Sequence, residues 1–344
     1  MPSVKQYRSP SVKQYRSSLA VAAILAALAA APLTPTATAQ AKDSRISTAH
    51  ELPGDRAYPE GIAADPRTGD LYIGSYTTGA ICKATPGRRE AKVFLPSGTD
   101  GRTTANGLKA DRSGRLWVTD STAGVAVYDL RSRTLIARFD VPGTPSSDPR
   151  MVNDVTIAAD GTAYLTDSAR PVVYRVTPGQ LKQAAEHGGR GVLTARFDVQ
   201  GGPESRPSAP LTLNGIVADA SGRQLFTVDM TGGGLYRIDT ASGAVSEVAL
   251  HGGDLVDGDG LELRGSTLWV AHNRSNSISR WRLADDGASA REERRVTDDA
   301  LQIPTTLVRS HGHTLVVRSQ FDKGGPMGPG TPVTPFTVAV VDGI

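Results

Sequence analysis

A single cysteine, Cys82, stands in a chain of 344 residues. An internal disulfide is therefore impossible, and C-x-x-C redox chemistry is excluded. Cys82 follows Ala80 and Ile81, with no histidine or helix start nearby to lower its pKa, so it is expected to be a buried structural thiol. Aromatics make up 5% of the chain and interleave with no basic run, which removes the footprint of a nucleic-acid-binding surface. There is no G-x-S-x-G, H-E-x-x-H or P-loop motif, so serine-hydrolase, zincin and NTPase readings have no support. Beyond residue 39 no stretch approaches 18 uncharged apolar residues, and a membrane anchor is not expected. The 6 histidines are scattered, and His311 and His313 on the turn SHGHT are expected to be exposed.

What is present begins with the N-terminus. Lys5, Arg8, Lys13 and Arg16 precede the apolar run Leu19–Ala31, and small residues follow at Ala37-Thr38-Ala39, the three regions of a secretory signal peptide. Residues 1–39 are expected to be removed after Ala39 or Ala41 and the protein to be secreted. The repeated octapeptide PSVKQYRS in this segment is read as neutral. Its loss takes four of the 38 basic residues and none of the 35 acidic ones, turning a formal charge of +3 into −1. The basic pI near 9.0 then says nothing about an acidic partner.

Glycine (37) and proline (22) are abundant, as many short strands joined by tight turns require. Residues 40–344 repeat one unit: a small polar pair, an apolar residue, a hydrophilic turn, then an alternating apolar strand. The copies are Pro59–Tyr76, Ala105–Ser121, Val152–Ser168, Leu213–Met230, Gly258–Asn273 and Ile303–Gln320. Equivalent positions fall at 60, 106, 153, 214, 259 and 305, so the steps are 45 to 47 apart from one of 61. Such a period, with three or four strands per unit, predicts an all-β fold: a single six-bladed β-propeller with a central channel and four-stranded antiparallel blades. The long step holds an insertion loop, 179–210, between the third and fourth blades, including a helical piece, QLKQAAEH. Arg45–Leu52 is expected to close the ring beside Phe336–Val341, and Gly324–Pro335 to be a flexible loop. A closed ring needs no partner, so a monomer is expected.

The start of each inner strand converges on the axis, placing Glu60, Asn106, Asn153, Asn214, Asp259 and Thr305 in one ring. Asn-Gly and Asp-Gly are also common turn pairs, which is the structural reading of any one of these positions. Six in register, with Glu at a place no turn calls for, form a hard-oxygen set suited to Ca²⁺. A second row, Ser75, Asp120, Asp167, Asp229, His272 and Ser319, returns to the same face to cap turns or support the ring. His272 is the candidate proton shuttle.

The units Pro59-Glu60-Gly61, Asn153-Asp154, Asn214-Gly215 and Asp259-Gly260 resemble those of the gluconolactonase, regucalcin (senescence marker protein) and luciferin-regenerating enzyme family, over about residues 52–342. The resemblance implies a six-bladed propeller hydrolysing a small-molecule lactone or related ester with one divalent cation. Ca²⁺ is the first choice, and Zn²⁺, Mn²⁺ or Mg²⁺ could take its place. It implies Glu60, Asn214 and Asp259 as metal ligands and Asn153 as a contact to metal or substrate. The carbonyl would be polarised by the cation and water activated by Asp259. The family's substrate arginine, two residues before the third-blade asparagine, is replaced here by Met151, with Arg150 next to it. The alternative is a non-catalytic secreted propeller that binds a ligand or protein on its channel face.

Overall fold

Strands buried on both faces read as near-continuous apolar runs, and the middle strands of each repeat do so: Leu116-Trp117-Val118 and Val125-Ala126-Val127-Tyr128 are wholly buried. The computed structural model describes residues 45–143, 149–200 and 211–344. The expected signal peptide, residues 1–39, lies outside them, as do residues 201–210 of the expected insertion.

Six antiparallel sheets form the blades of a propeller. Their innermost strands are Pro59–Ala64, Leu108–Ala110, Val152–Ile157, Leu213–Ala218, Gly258–Arg264 and Pro304–Ser310 for blades one to six. The ring closes as expected, for Arg45–Glu51 pairs antiparallel with Thr337–Asp342 and becomes the outer strand of blade six. An apolar cluster fills each of the six seams between neighbouring blades. Cys82 belongs to the cluster between blades six and one, and burial pushes its thiol up to about 11. It is the inert structural thiol anticipated.

The insertion differs from expectation. In its described part, residues 179–200 are not a loop between blades three and four. The helix Pro178–Glu186 opens with a Thr177/Gln180 capping box and leads to Arg190–Val192, which adds a parallel fifth strand to blade two. Thr194–Asp198 is then the outer strand of blade three. Leu181, Ala184 and Leu193 bury against Ala137 and Phe139 of blade two, so the segment covers an edge that would otherwise be exposed. Ala249–His251 does the same for blade five. Gly324–Pro335, expected as a flexible loop, is tied down: the Gln320 side-chain amide exchanges two 2.8 Å hydrogen bonds with the Val333 backbone, and the Tyr58 hydroxyl donates to the Lys323 carbonyl at 2.9 Å.

Candidate functional site

In five of the six blades the inner strand carries a register shift at its start, as between Pro59 and Ile62 or Leu213 and Ile216. Such bulges re-aim side chains. The residues brought together are the six the repeat predicts: Glu60, Asn106, Asn153, Asn214, Asp259 and Thr305, all buried. The glycines after them are not turn residues. Gly61, Gly107, Gly215 and Gly260 all lack the left-handed φ that a turn would call for, and a Cβ on Gly61 would stand 2.0 Å from the Asn106 carbonyl oxygen, on Gly215 2.3 Å from that of Asp259. They are glycine because the next blade's backbone passes there, so the turn-pair reading is replaced by one of close packing.

Orientation of the ring amides comes from a row one residue later than expected. Asn106 Nδ2 donates to Ser121 Oγ at 2.7 Å and Asn153 Nδ2 to Ser168 Oγ at 2.9 Å. Asn214 Nδ2 lies 3.4 Å from Met230 Sδ, and Asn273 Nδ2 donates to Asp259 Oδ2 at 2.8 Å. Ser75, Asp167, Asp229 and His272 instead pair with Pro59, Val152, Leu213 and Gly258, the residues preceding the ring positions, and so leave on the face away from the ring. Asp120, Asp167 and Asp229 cap the loops that lead into the inner strands. Ser319 alone of the expected row meets the ring, its hydroxyl 2.6 Å from that of Thr305. Thr305 itself donates to the Glu60 carbonyl at 2.8 Å and stitches blade six to blade one. The serines, Met230 and Asn273 were visible in the sequence as the last residues of the repeat units.

His272 is not a shuttle. Its Nδ1 contacts the Val256 carbonyl at 2.8 Å and its Nε2 Ser279 Oγ at 2.7 Å, and burial pulls its pKa to about 4. Both nitrogens serve the packing of blade five. Arg150, the arginine beside the family's substrate position, donates to the Val141 and Gly143 carbonyls. His311 and His313 are exposed, as anticipated.

Electrostatically the ring is strained. Burial, then the charges of Asp259 and Asp154, holds Glu60 well above the usual carboxylate range. Burial pushes Asp259 up to about 8 against the opposing hydrogen bond from Asn273. Asp154, which the sequence reading did not nominate, is a third buried carboxyl beside the ring; it accepts from Val155 N at 2.8 Å and Ile216 N at 3.4 Å, and burial raises it to about 6. Three buried oxygens, Glu60 Oε2, Asn106 Oδ1 and Asn153 Oδ1, have no hydrogen-bond partner, an arrangement proteins avoid unless something else satisfies it. Among the described residues no cluster of three or more His, Cys, Asp or Glu side chains forms a metal site, so any cation here would be held by at most two carboxylates together with amide oxygens. Two carboxylates with neutral oxygens are a donor set for a hard divalent ion.

A six-bladed propeller whose axis is ringed by buried carboxylates and amides defines a class of channel-site proteins. The sequence profile of the SMP-30/Gluconolactonase/LRE-like region matches residues 58–292, and the chain belongs to that family. No curated protein matches it in sequence. Among solved structures it is similar to a gluconolactonase from Xanthomonas campestris, with a TM-score of 0.58 and 14% identity over 88% of this chain and 91% of the other. Virginiamycin B lyase from Staphylococcus aureus gives 0.56 and 14% over 87% and 99%. The Malassezia sympodialis allergen Mala s 1 gives 0.58 and 15% over 85% and 95%. At these identities the likeness is one of fold.

Proposed function

We propose that the protein is a secreted, metal-dependent hydrolase of a lactone or related ester. Family membership supports hydrolytic chemistry at a coarse level. The observation that carries the finer reading is the set of three partnerless buried oxygens in one ring with two carboxyls of raised pKa. Glu60, Asn153, Asn214 and Asp259 would hold the cation. When bound, a divalent ion supplies Lewis-acid polarisation of a carbonyl and offsets the charge that develops on its oxygen.

The chain's own residues supply the rest. Ser121 and Ser168 hold the Asn106 and Asn153 amides by their nitrogens, which leaves the oxygens as preset acceptors that need not reorganise during reaction. Asp259, steadied by Asn273, takes the proton of the attacking water. A carboxylate there can accept that proton and return it to the departing alkoxide.

The test is metal analysis of the purified protein followed by chelator-sensitive turnover of a lactone and ester panel, repeated with Glu60→Gln and Asp259→Asn. Both variants should lose the cation and fall in kcat/KM by about 10²–10³-fold or more. Because protons compete for raised carboxyls, Ca²⁺ affinity should rise with pH from pH 6 and still be rising through about pH 8, where Asp259 gives up its proton. Unchanged cation content and turnover in both variants would remove the ring as the site; bound cation without turnover of any substrate would favour the ligand-binding reading.

A further inference from the structure

What lines the mouth of the ring limits what can reach it. Several polar side chains of the loops around it are engaged with the protein itself. Asp120, Asp167 and Asp229 cap their loops, Arg170 lies on Asp167, Arg318 donates to the Ala300 carbonyl, and Gln320 is clasped by Val333.

Of the six side chains beside the ring, Ser121, Ser168, Asn273 and Ser319 are bonded to the ring residues, and Tyr76 and Met230 carry the apolar surface. Tyr76, the blade-one counterpart of Ser121 and Ser168, is half-buried and feels the charge of Glu60, and its ring centroid lies 5.3 Å from that of Phe321. Met230 Sδ lies 3.4 Å from Asn214 Nδ2 and 3.5 Å from Asn273 Nδ2. The chain has 4 methionines, and three of them stand next to the inner strands or their connections. Met151 immediately precedes the inner strand of blade three. Met230 follows the second strand of blade four. Met327 sits in the tied-down connection of blade six, its N–H on the Phe321 carbonyl at 3.0 Å, and it packs in the cluster that contains Tyr76 and Phe321. Methionine adapts its shape to apolar ligands that a stiffer side chain would exclude.

On the hydrolase reading above, we infer that this aromatic and thioether collar selects substrates with an apolar body: alkyl- or aryl-substituted lactones or aryl esters, not polyhydroxylated sugar lactones. A sugar lactone brings several hydroxyls to the mouth, and each left unpaired on entering loses its hydrogen bonds to water. An alkyl chain loses nothing comparable and gains with each methylene buried against Tyr76, Phe321 and the methionines.

The experiment measures kcat/KM for δ-decalactone and glucono-δ-lactone with Ca²⁺ present, together with calorimetric binding of both. Decalactone should be preferred about tenfold or more. Tyr76→Ser and Met327→Gln should each lower the ratio of the two kcat/KM values, through KM, with cation content and circular dichroism unchanged. Preference for the sugar lactone, or a ratio unmoved in both folded variants, overturns the collar and leaves hydrolysis standing. Decalactone binding without turnover of either lactone overturns hydrolysis and leaves the collar standing. Neither binding nor turnover overturns both.

Discussion

Ser168 shows how much a ring amide depends on one hydroxyl. Its Oγ takes the Asn153 amide nitrogen at 2.9 Å and donates to the Leu213 carbonyl of the next blade. With that hydroxyl present, only the Asn153 oxygen is left over, and it is buried without a partner. Ser168→Ala would free the amide to rotate and offer its nitrogen toward the axis in place of oxygen. We expect a 10–100-fold weaker Ca²⁺ affinity with little change in metal-free thermal stability, read by calorimetry and a melting curve. An unaltered affinity would show that Asn153 takes no part in holding the cation. The ring positions were legible in the sequence because the repeat carries them in register, and composition marks them as oxygen donors. Their supports were not, because side chains alternate with a period of two. A reading that stops at Asp167 or His272 lands on the wrong face, while Ser168 and Asn273, one residue on, touch the ring.

At the scale of the strand, the ring is built by six inner strands that pack backbone against backbone. The residues that follow the ring positions make this possible: Gly61, Gly107, Gly215 and Gly260 leave no side chain in the gap. Asp154 fits at the equivalent place in blade three by accepting the Ile216 N–H across the seam. In the sequence an Asn-Gly pair looks the same whether glycine serves a left-handed turn or a close approach, and only the neighbouring blade tells them apart. The substitution that separates the two uses is Gly215→Ala. For a turn glycine the penalty would come from φ, but here it comes from the Asp259 carbonyl, 2.3 Å from the new Cβ. The strands of blades four and five would have to part, so we expect a loss of roughly 2–4 kcal/mol in denaturant unfolding together with weakened cation binding. Gly265→Ala has nothing within 4 Å but sits at φ +57°. It should cost about 1 kcal/mol and leave the cation site untouched.

Across the whole molecule, stability and site are held by the same closure. Each blade buries its faces only against its neighbours, so a propeller opened at one seam loses more than one strand's worth of packing. The seam here joins the two ends of the described chain. Arg45–Glu51 pairs with Thr337–Asp342, Ile46 packs into the cluster between blades five and six, and Leu52 belongs to the cluster between blades six and one. Glu51 reaches over to blade one, where its carboxylate meets Arg89 at 2.6 Å and its N–H the Arg89 carbonyl at 2.8 Å. That exposed ion pair contributes little by itself; the strand and its apolar side chains carry the closure. Of the four residues proposed to hold the cation, Glu60 lies in blade one, beside this seam, and the other three lie in blades three, four and five. A chain beginning at Pro53 should therefore fail in two linked ways. Its melting midpoint should fall by about 10 °C or more, because the third strand of blade six becomes a bare edge and two seams loosen. Its gain in midpoint on adding Ca²⁺ should also shrink, because the stabilisation by a ligand follows its affinity for the folded state and Glu60 is no longer held against the other three. Calorimetric scans of both chains with and without Ca²⁺ read the two effects together. A lower midpoint with the full Ca²⁺ increment would mean that blade one keeps its place in the ring without the closing strand, and that strand and site are independent.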